Sequence, residues 1–417
     1  MLTWANPRAC GQETTIAMGT RHESKTSLVT QLHDSPWKLV LAITGGGSGA
    51  LAALLETPGA SRTVLEAIVP YSETALKQWL GTYPEQACSA PTARALAMAA
   101  WIRARQLDGD TEAARPLMGV GATASLATTR PKRGAHRVHV ATQTADETRS
   151  WELTFEAENR TRGDEEQLCC DLLLLATAST AAVACDPLES TLRNALRATE
   201  RIHHCKAKGD PGWRDLLLGN VKSLWLGSQS QGAGKLPPDD GPPDGWGRLV
   251  FPGAFNPLHA GHLEMARIAQ RRIGEIVCWE LSLFNVDKPP LDYVAIQQRL
   301  EGLRQAQWQR PVVLTNAPTF SDKVRLFPGA VFVVGVDTLS RIGDPAYYDH
   351  DPIRRDQAIA QIAEAEASFL VFARVHRGAL TTLASVDVPP ALKDLCHEVS
   401  PEEFRLDVSS TELRRRN

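Results

Sequence analysis

From Lys38 onward the chain alternates short apolar runs with longer amphipathic stretches. "KLVLAI" (38–43), "TVLEAIVP" (63–70), "HRVHVATQT" (136–144) and "SWELTFEAE" (150–158) are rich in β-branched residues and bounded by glycine, proline or charge, which predicts strands. Between them "SAPTARALAMAAWIRARQ" (89–106) and "EEQLCCDLLLLATAST" (165–180) have helical length and composition, the first opened by a Ser89 cap. Residues 1–22 are polar and without periodicity and are expected to form a loose tail. The next part, 23–205, is expected to be one α/β domain.

The pattern then lapses. "GSQSQGAGKLPPDDGPPDGWG", Gly227 to Gly247, has two Pro-Pro pairs and almost no aliphatic content, so residues 206–246 are expected to be a linker, Pro/Gly-rich from 227. A second alternation follows over 247–417. "RLVF", "EIVCWELSLF", "PVVLTNA", "AVFVVGV" and "SFLVFARV" predict near-continuously apolar strands, separated by helices such as "HLEMARIAQRRI" and "VAIQQRLEGLRQAQ". Buried parallel strands alternating with helices make a doubly wound sheet of Rossmann-like type. With 417 residues, two domains also suit the size at which single cores stop growing.

Composition narrows the chemistry. A net charge of −3 provides no basic field for nucleic acid or an anionic membrane, so phosphate recognition has to be local. No apolar run approaches the roughly 20 residues of a membrane span, and the first residues lack the apolar core of a secretory signal. The eight cysteines show no Cys-x-x-Cys spacing, which fits reduced thiols and a cytoplasmic protein. His203-His204-Cys205 has no further ligands at zinc spacing, so no metal held by the protein is expected.

"FPGAFNPLHAGHLEMA", Phe251 to Ala266, sets a glycine, an Asn-Pro turn and two histidines between a predicted strand and helix, where open α/β sheets bind ligands. His259 and His262 are placed to face a phosphate as neutral donors or as cations. The run Gly253-Ala254-Phe255-Asn256-Pro257-x-His259-x-Gly261-His262 resembles the signature of the HxGH nucleotidylyltransferases, in particular the nicotinate/nicotinamide mononucleotide adenylyltransferases. "VFVVGVDTL" supplies Gly335 and Asp337 where that family has Gly-x-Asp, and "DVSSTELRRR" is similar to its C-terminal Ser-Ser-Thr-x-x-Arg segment. Three elements in order outweigh the blander reading of each, a surface histidine pair or a simple helix cap.

The resemblance implies in-line transfer of AMP from ATP to a mononucleotide phosphate, with pyrophosphate leaving and Mg²⁺ accompanying the ATP. It places His259, His262 and Arg414 in catalysis, and Gly253, Ala254, Phe255, Asn256, Lys288, Gly335, Asp337, Ser409, Ser410 and Thr411 around the nucleotide. Two departures stand out: Pro252 precedes the glycine, and "GDPAYYDHD" supplies only Tyr347 and Tyr348 where the family has a tryptophan that stacks on the pyridine ring.

"LAITGGGSGALAALL", Leu41 to Leu55, also reads as a phosphate cradle, and Gly45-x-Gly47-x-x-Ala50 satisfies the dinucleotide spacing. Glu66 lies too early to serve as the ribose-binding acid that such a site needs. Together with "PGAS" and "YSETALKQWLG" the stretch resembles the CinA C-terminal domain, the nicotinamide-mononucleotide deamidase family. That family's Glu-Ser-Cys-Thr-Gly-Gly falls on Leu41, Ala42, Ile43, Thr44, Gly45 and Gly46, so the nucleophilic serine is replaced by Ala42. In the segment from Tyr71 the expected lysine falls on Leu76, with Lys77 one residue late. A residue without a hydroxyl cannot attack a carboxamide, so this domain is expected to be inactive.

The expected whole is a cytoplasmic adenylyltransferase of NAD synthesis, acting on small molecules, compatible with homo-oligomers, and carrying a lapsed deamidase-like domain. The alternatives are transfer to another phosphate acceptor such as phosphopantetheine or a phosphoalcohol, a non-enzymatic nucleotide sensor or assembly protein, and amidase activity retained in the first domain.

Overall fold

The computed structural model describes residues 22–109, 116–129, 134–156, 160–226, 246–286, 288–306, 311–376 and 379–404. The chain divides into two compact units, Met1–Lys208 with Asp292–Val294, and Gly209–Leu291 with Ala295–Asn417. Among the described residues no helix is long and apolar enough to cross a membrane.

Unit 1 opens with helix α1 (22–34), whose Leu28, Val29 and Leu32 are buried at helical spacing. The elements after it are β1 (Lys38–Thr44), α2 (Ser48–Glu56), α3 (Ala60–Thr63), β2 (Val64–Ile68), α4 (Glu73–Leu80), α5 (Ala90–Asp108) and β3 (Leu117–Ser125). β4 (Arg137–Gln143), β5 (Glu147–Thr154), α6 (Arg162–Thr180), α7 (Asp186–Ala195) and β6 (Ile202–Lys208) complete it. The sheet runs β2-β1-β3-β4-β5-β6, parallel at β2, β1 and β3 and antiparallel beyond.

β1 is apolar on both faces because both are covered. Leu39, Leu41 and Ile43 pack with α1, α2 and α6, while Val40 and Ala42 pack with Leu76 and Leu80 of α4 and Leu96, Ala100 and Ala104 of α5. β3 has no counterpart among the predicted strands, since glycines interrupt its pattern. Those glycines let α5 lie directly on the sheet: a Cβ on Gly119 would meet the Ala97 carbonyl oxygen at 2.0 Å, and one on Gly121 the Ala93 carbonyl oxygen at 2.3 Å. α6 starts at Arg162, three residues before the predicted Glu165, because Thr161 and Asp164 form a capping box.

Unit 2 contains α8 (Pro211–Leu218), β7 (Ser223–Leu226), β8 (Leu249–Pro252), α9 (Ala260–Ile273), β9 (Val277–Ser282), α10 (Tyr293–Gln305, whose first two residues count with unit 1) and β10 (Val312–Thr315). Next come α11 (Phe320–Leu326), β11 (Val331–Gly335), α12 (Val336–Gly343), α13 (Pro352–Glu364) and β12 (Ser368–Phe372). A short hairpin, β13 (Arg374–His376) and β14 (Ala379–Thr381), precedes α14 (Pro390–Lys393) and β15 (Cys396–Val399). The sheet order is β15-β12-β11-β8-β9-β10-β7, all parallel except the antiparallel edge strand β7.

This is a doubly wound sheet. Val250, Phe332, Val334, Phe369 and Val371 face one layer of helices, and Leu249, Phe251, Val333, Leu370 and Phe372 face the other. The order reverses between β8 and β11, which pair directly, so the crevice for a ligand opens at their carboxyl ends.

The stretch assigned above to a linker differs in structure. Residues up to Lys208 lie in β6, 211–218 form a helix, and 223–226 form β7 on the edge of the second sheet. The Pro/Gly-rich residues therefore join two strands of one sheet. Trp225 explains why β7 is held there: it is buried and packs edge-on against Phe327, with ring centroids 5.8 Å apart.

Candidate functional site

The carboxyl end of β8 leads through Gly253–Leu258 to His259, which caps α9 with extended backbone (φ −143, ψ 169). Phe255 sits at φ 45 yet is buried, its ring edge-on to Phe251 and to Trp279, with centroids 5.6 and 4.8 Å away. Such a left-handed residue without glycine's freedom persists because its ring is fixed from several sides. Gly253 is required by that same ring: a Cβ there would lie 2.5 Å from Phe255 Cε1 and Cζ. Ala254 and Asn256 are exposed on the lip of the loop.

The two histidines stack, with ring centroids 3.8 Å apart and planes inclined at 27°. Gly261 makes room for this, since a Cβ there would come within 3.0 Å of His259 Cε1 and Nδ1. The His259 backbone N–H donates to His262 Nδ1 at 3.3 Å. His262 Nδ1 is thereby an acceptor, so the neutral ring carries its proton on Nε2. His259 Nδ1 is buried with no hydrogen-bond partner among the described residues.

Charge on either ring is disfavoured. Burial, then the neighbouring His259, pushes His262 down to about 3, while burial, then the Arg374 guanidinium, lowers His259. The free protein thus holds two neutral imidazoles at the start of a 14-residue helix, where backbone amides favour an anion. Of the two forms of histidine anticipated from the sequence, neutral donors are what the fold keeps near pH 7.

Gly335 ends β11 and caps α12, and a Cβ on it would meet nothing within 4 Å. Asp337 in the first turn of α12 forms an ion pair with Arg374, just beyond β12. Arg374 went unnoticed in the sequence; its signal was a cation directly after the apolar run "SFLVFA", at the carboxyl end of a predicted strand. Lys288 is exposed and, among the described residues, makes no hydrogen bond or ion pair. Arg414, Ser409, Ser410 and Thr411 lie outside the described residues. Of the two tyrosines near the missing tryptophan, Tyr348 donates its hydroxyl to the Ile342 carbonyl at 3.1 Å. Among the described residues no three His, Cys, Asp or Glu side chains form a group able to hold a metal ion.

The glycine cluster of unit 1 is built differently. Gly45 has φ 82, and a Cβ there would meet the Ala124 carbonyl oxygen at 2.0 Å, so close approach of β3 is enough to require it. The start of α2 is filled from within: Glu166 Oε1 accepts from the Gly47 and Ser48 amides at 3.0 and 2.7 Å and from Ser48 Oγ at 2.7 Å. A carboxylate of the protein occupies the place a phosphate would take. Nothing in the sequence marks Glu166, whose role depends on α6 packing against α2.

Ala42 is fully buried, and Leu76 packs in the same apolar cluster. Thr44 is buried at the end of β1 and Gly46 is half-buried, while Tyr71 is exposed and Lys77 points outward with its ammonium 4.9 Å from the centre of the Tyr83 ring. The two positions on which the resemblance expects a hydroxyl and an amine lie instead in one buried apolar cluster.

Residues 250–416 match the cytidylyltransferase-like family. This part of the chain carries a cytidylyltransferase-like domain, and hence a nucleotidyltransferase domain in general terms. No curated protein sequence matches the chain significantly. Among solved structures, the competence/damage inducible protein CihA from Agrobacterium tumefaciens is 19% identical, covering 39% of this chain and 94% of its own, with a TM-score of 0.29. CinA superfamily proteins from Klebsiella pneumoniae (17% identical, 41% and 98% covered, TM-score 0.27) and Enterobacter cloacae (18%, 46% and 97%, TM-score 0.28) are also similar.

Proposed function

We propose that unit 2 transfers AMP from ATP to a phosphorylated acceptor, nicotinate or nicotinamide mononucleotide being the favoured pair, with release of pyrophosphate. The observation that carries this reading is the stacked, neutral His259–His262 pair at the N-terminus of α9, beside the β8/β11 switch point. An oxygen of the acceptor phosphate attacks the α-phosphorus of ATP in line, and the bond to the β-phosphate bridging oxygen breaks. No covalent enzyme intermediate is needed, so the protein's task is positioning and charge stabilisation.

His262 is fixed as an Nε2–H donor by the His259 amide, and a preorganised donor is worth most where phosphoryl charge builds up. The α9 amides add their dipole, and Arg374 supplies a full positive charge when it exchanges Asp337 for a phosphate oxygen. On the leaving side the sequence offers Arg414, with Ser409, Ser410 and Thr411. Mg²⁺ travels with the triphosphate and neutralises part of its charge. The described groups, two neutral imidazoles and the Arg374 guanidinium, suit phosphate oxygens better than a metal cage.

A second reading, CTP as donor to a phosphoalcohol, draws on the cytidylyltransferase-like match and on the tyrosines standing where a stacking tryptophan is expected. Purified protein incubated with Mg²⁺, ATP or CTP and a panel of phosphorylated acceptors, followed by pyrophosphate release, separates the two. Turnover with ATP and a pyridine mononucleotide supports the first. Absence of turnover with every pair would leave a nucleotide sensor.

A further inference from the structure

Unit 1 contains three residues from far along the chain, Asp292, Tyr293 and Val294, which are the lead-in and the first two positions of α10. All three are buried. We propose that Arg94 and Thr148 of unit 1 are positioning residues for the transfer reaction: they fix the head of α10, and with it the His259–His262 turn. The inference rests on the proposed function for what that turn does, and it requires no ligand in unit 1.

The head of α10 is held from three places. Arg94, buried on α5, donates its Nε–H to both carboxylate oxygens of Asp292 at 3.1 Å. The Tyr293 hydroxyl donates to the Ala145 carbonyl, in the turn between β4 and β5, at 2.5 Å. The Tyr293 amide, one of the helix-start donors that the helix itself leaves without an acceptor, donates to Thr148 Oγ1 of β5 at 3.1 Å. Thr148 is prepared for this: its own proton goes to Gln143 Oε1 at 2.5 Å, which leaves its lone pairs for the amide.

Such bonds supply position more than adhesion. Apolar side chains of similar volume would hold a helix as firmly, whereas a desolvated ion pair and a chain of buried hydroxyls accept a single register. The Arg94 and Asp292 side chains are only 8% and 10% exposed, so a slipped pair would leave a charge without water to receive it. Two routes lead from this anchor to the histidines. Leu291, next to Asp292, donates its amide to the Leu283 carbonyl just past β9 at 2.8 Å, and β9 in turn accepts the Gly253 amide at the Glu280 carbonyl at 3.0 Å. Further along α10, Leu300 and Leu303 share one buried cluster with Phe251, Phe255 and Trp279, the rings that keep Phe255 in place.

The test is hydrogen exchange, read by mass spectrometry, on the full-length protein and on Arg94→Met, Arg94→Lys and Thr148→Val, alongside steady-state pyrophosphate release. Arg94→Met leaves the Asp292 carboxylate unpaired, and Thr148→Val removes the hydroxyl with little change of shape. In Arg94→Met the segments 253–258 and 293–300 should both exchange about tenfold faster or more, while 368–372 in β12 stays unchanged. Thr148→Val should act in the same sense, and Arg94→Lys, which keeps a charge for Asp292, should fall between Arg94→Met and the unmodified protein. In Arg94→Met, kcat should fall about tenfold or more with KM for ATP within about twofold, since displaced donors cost the transition state rather than the ground state.

Faster exchange at 293–300 with 253–258 unmoved, no change at either, a uniform rise that includes β12, or an unaltered kcat in variants whose turn exchanges faster each overturns the inference. If Arg94→Met does not fold, Thr148→Val and Arg94→Lys decide by the same criteria. Linked exchange of the two segments in a protein that turns over no acceptor upholds the anchor and removes the proposed transferase reading instead.

Discussion

Two helices in this molecule begin after a glycine-bearing turn at the carboxyl end of a parallel strand, and they use that place in opposite ways. At α2 the amides and Ser48 are already bound to Glu166; at α9 two neutral imidazoles lead the helix, one with a nitrogen that no described group satisfies. The amides of α2 have nothing to gain from a phosphate until a carboxylate leaves, whereas those of α9 gain at once. A glycine turn before a helix therefore states where an anion could sit, and the neighbouring helix decides whether the protein supplies that anion itself.

The sharpest way to break this contrast is to disarm the α9 turn. His259→Ala or His262→Ala should lower kcat for pyrophosphate release by about a hundredfold or more, as loss of a preorganised donor does, with steady-state kinetics as the measure. Unaltered turnover in both would make the two turns equally idle.

Protonation offers a second route. His262 is held at about 3 against an ordinary value of 6.5, so the unfolded chain takes up a proton that the folded one refuses. The stability tied to its neutral form is complete above 6.5 and drains away as the pH falls from there towards 3, a loss on the order of 5 kcal/mol over the whole window. Chemical denaturation between pH 4 and 7 should show His262→Asn with a flatter profile than the unmodified protein. An identical slope would mean that the ring is not buried in the neutral form.

On the α2 side, Glu166→Ala should cost about 1–2 kcal/mol, because three donors lose a charged acceptor at a partly exposed site. Glu166→Gln, keeping one oxygen, should cost less, and thermal melts rank the pair. If Glu166→Ala melts unchanged, the carboxylate is not what fills the turn. The smallest expected effect is none at all: neither the unmodified protein nor Ala42→Ser should release ammonia from nicotinamide mononucleotide, since Ala42 and Leu76 share a buried apolar cluster. Measurable ammonia would give unit 1 an amidase activity of its own.

What was legible in the sequence followed physical lines. The strands of unit 2 announce themselves because both faces are buried and their runs are continuously apolar, and the His259–His262 turn because its residue types are rare together. β3 escaped because close packing by α5 demands Gly119 and Gly121, which erase the β signal. Glu166 and Arg374 act through partners far along the chain, Glu166 about 119 residues from Gly47 and Arg374 37 residues from Asp337, a pairing that only the fold creates. β7 is too short and too near the Pro/Gly stretch for a period to register.

The position of β7 changes what a cut in the chain would do. In the second sheet β8 lies three strands away from β7, in the order β8-β9-β10-β7, so the residues between Leu226 and Leu249 lead from the edge of the sheet back to its middle. Severing the backbone there yields two fragments rather than two domains. The first piece keeps a strand that belongs to the second, and backbone hydrogen bonds from β7 to β10 bind them together. A polypeptide begun at Trp246 would bare the outer edge of β10, an invitation to foreign strands, and adding the piece ending at Leu226 should close that edge by fragment complementation.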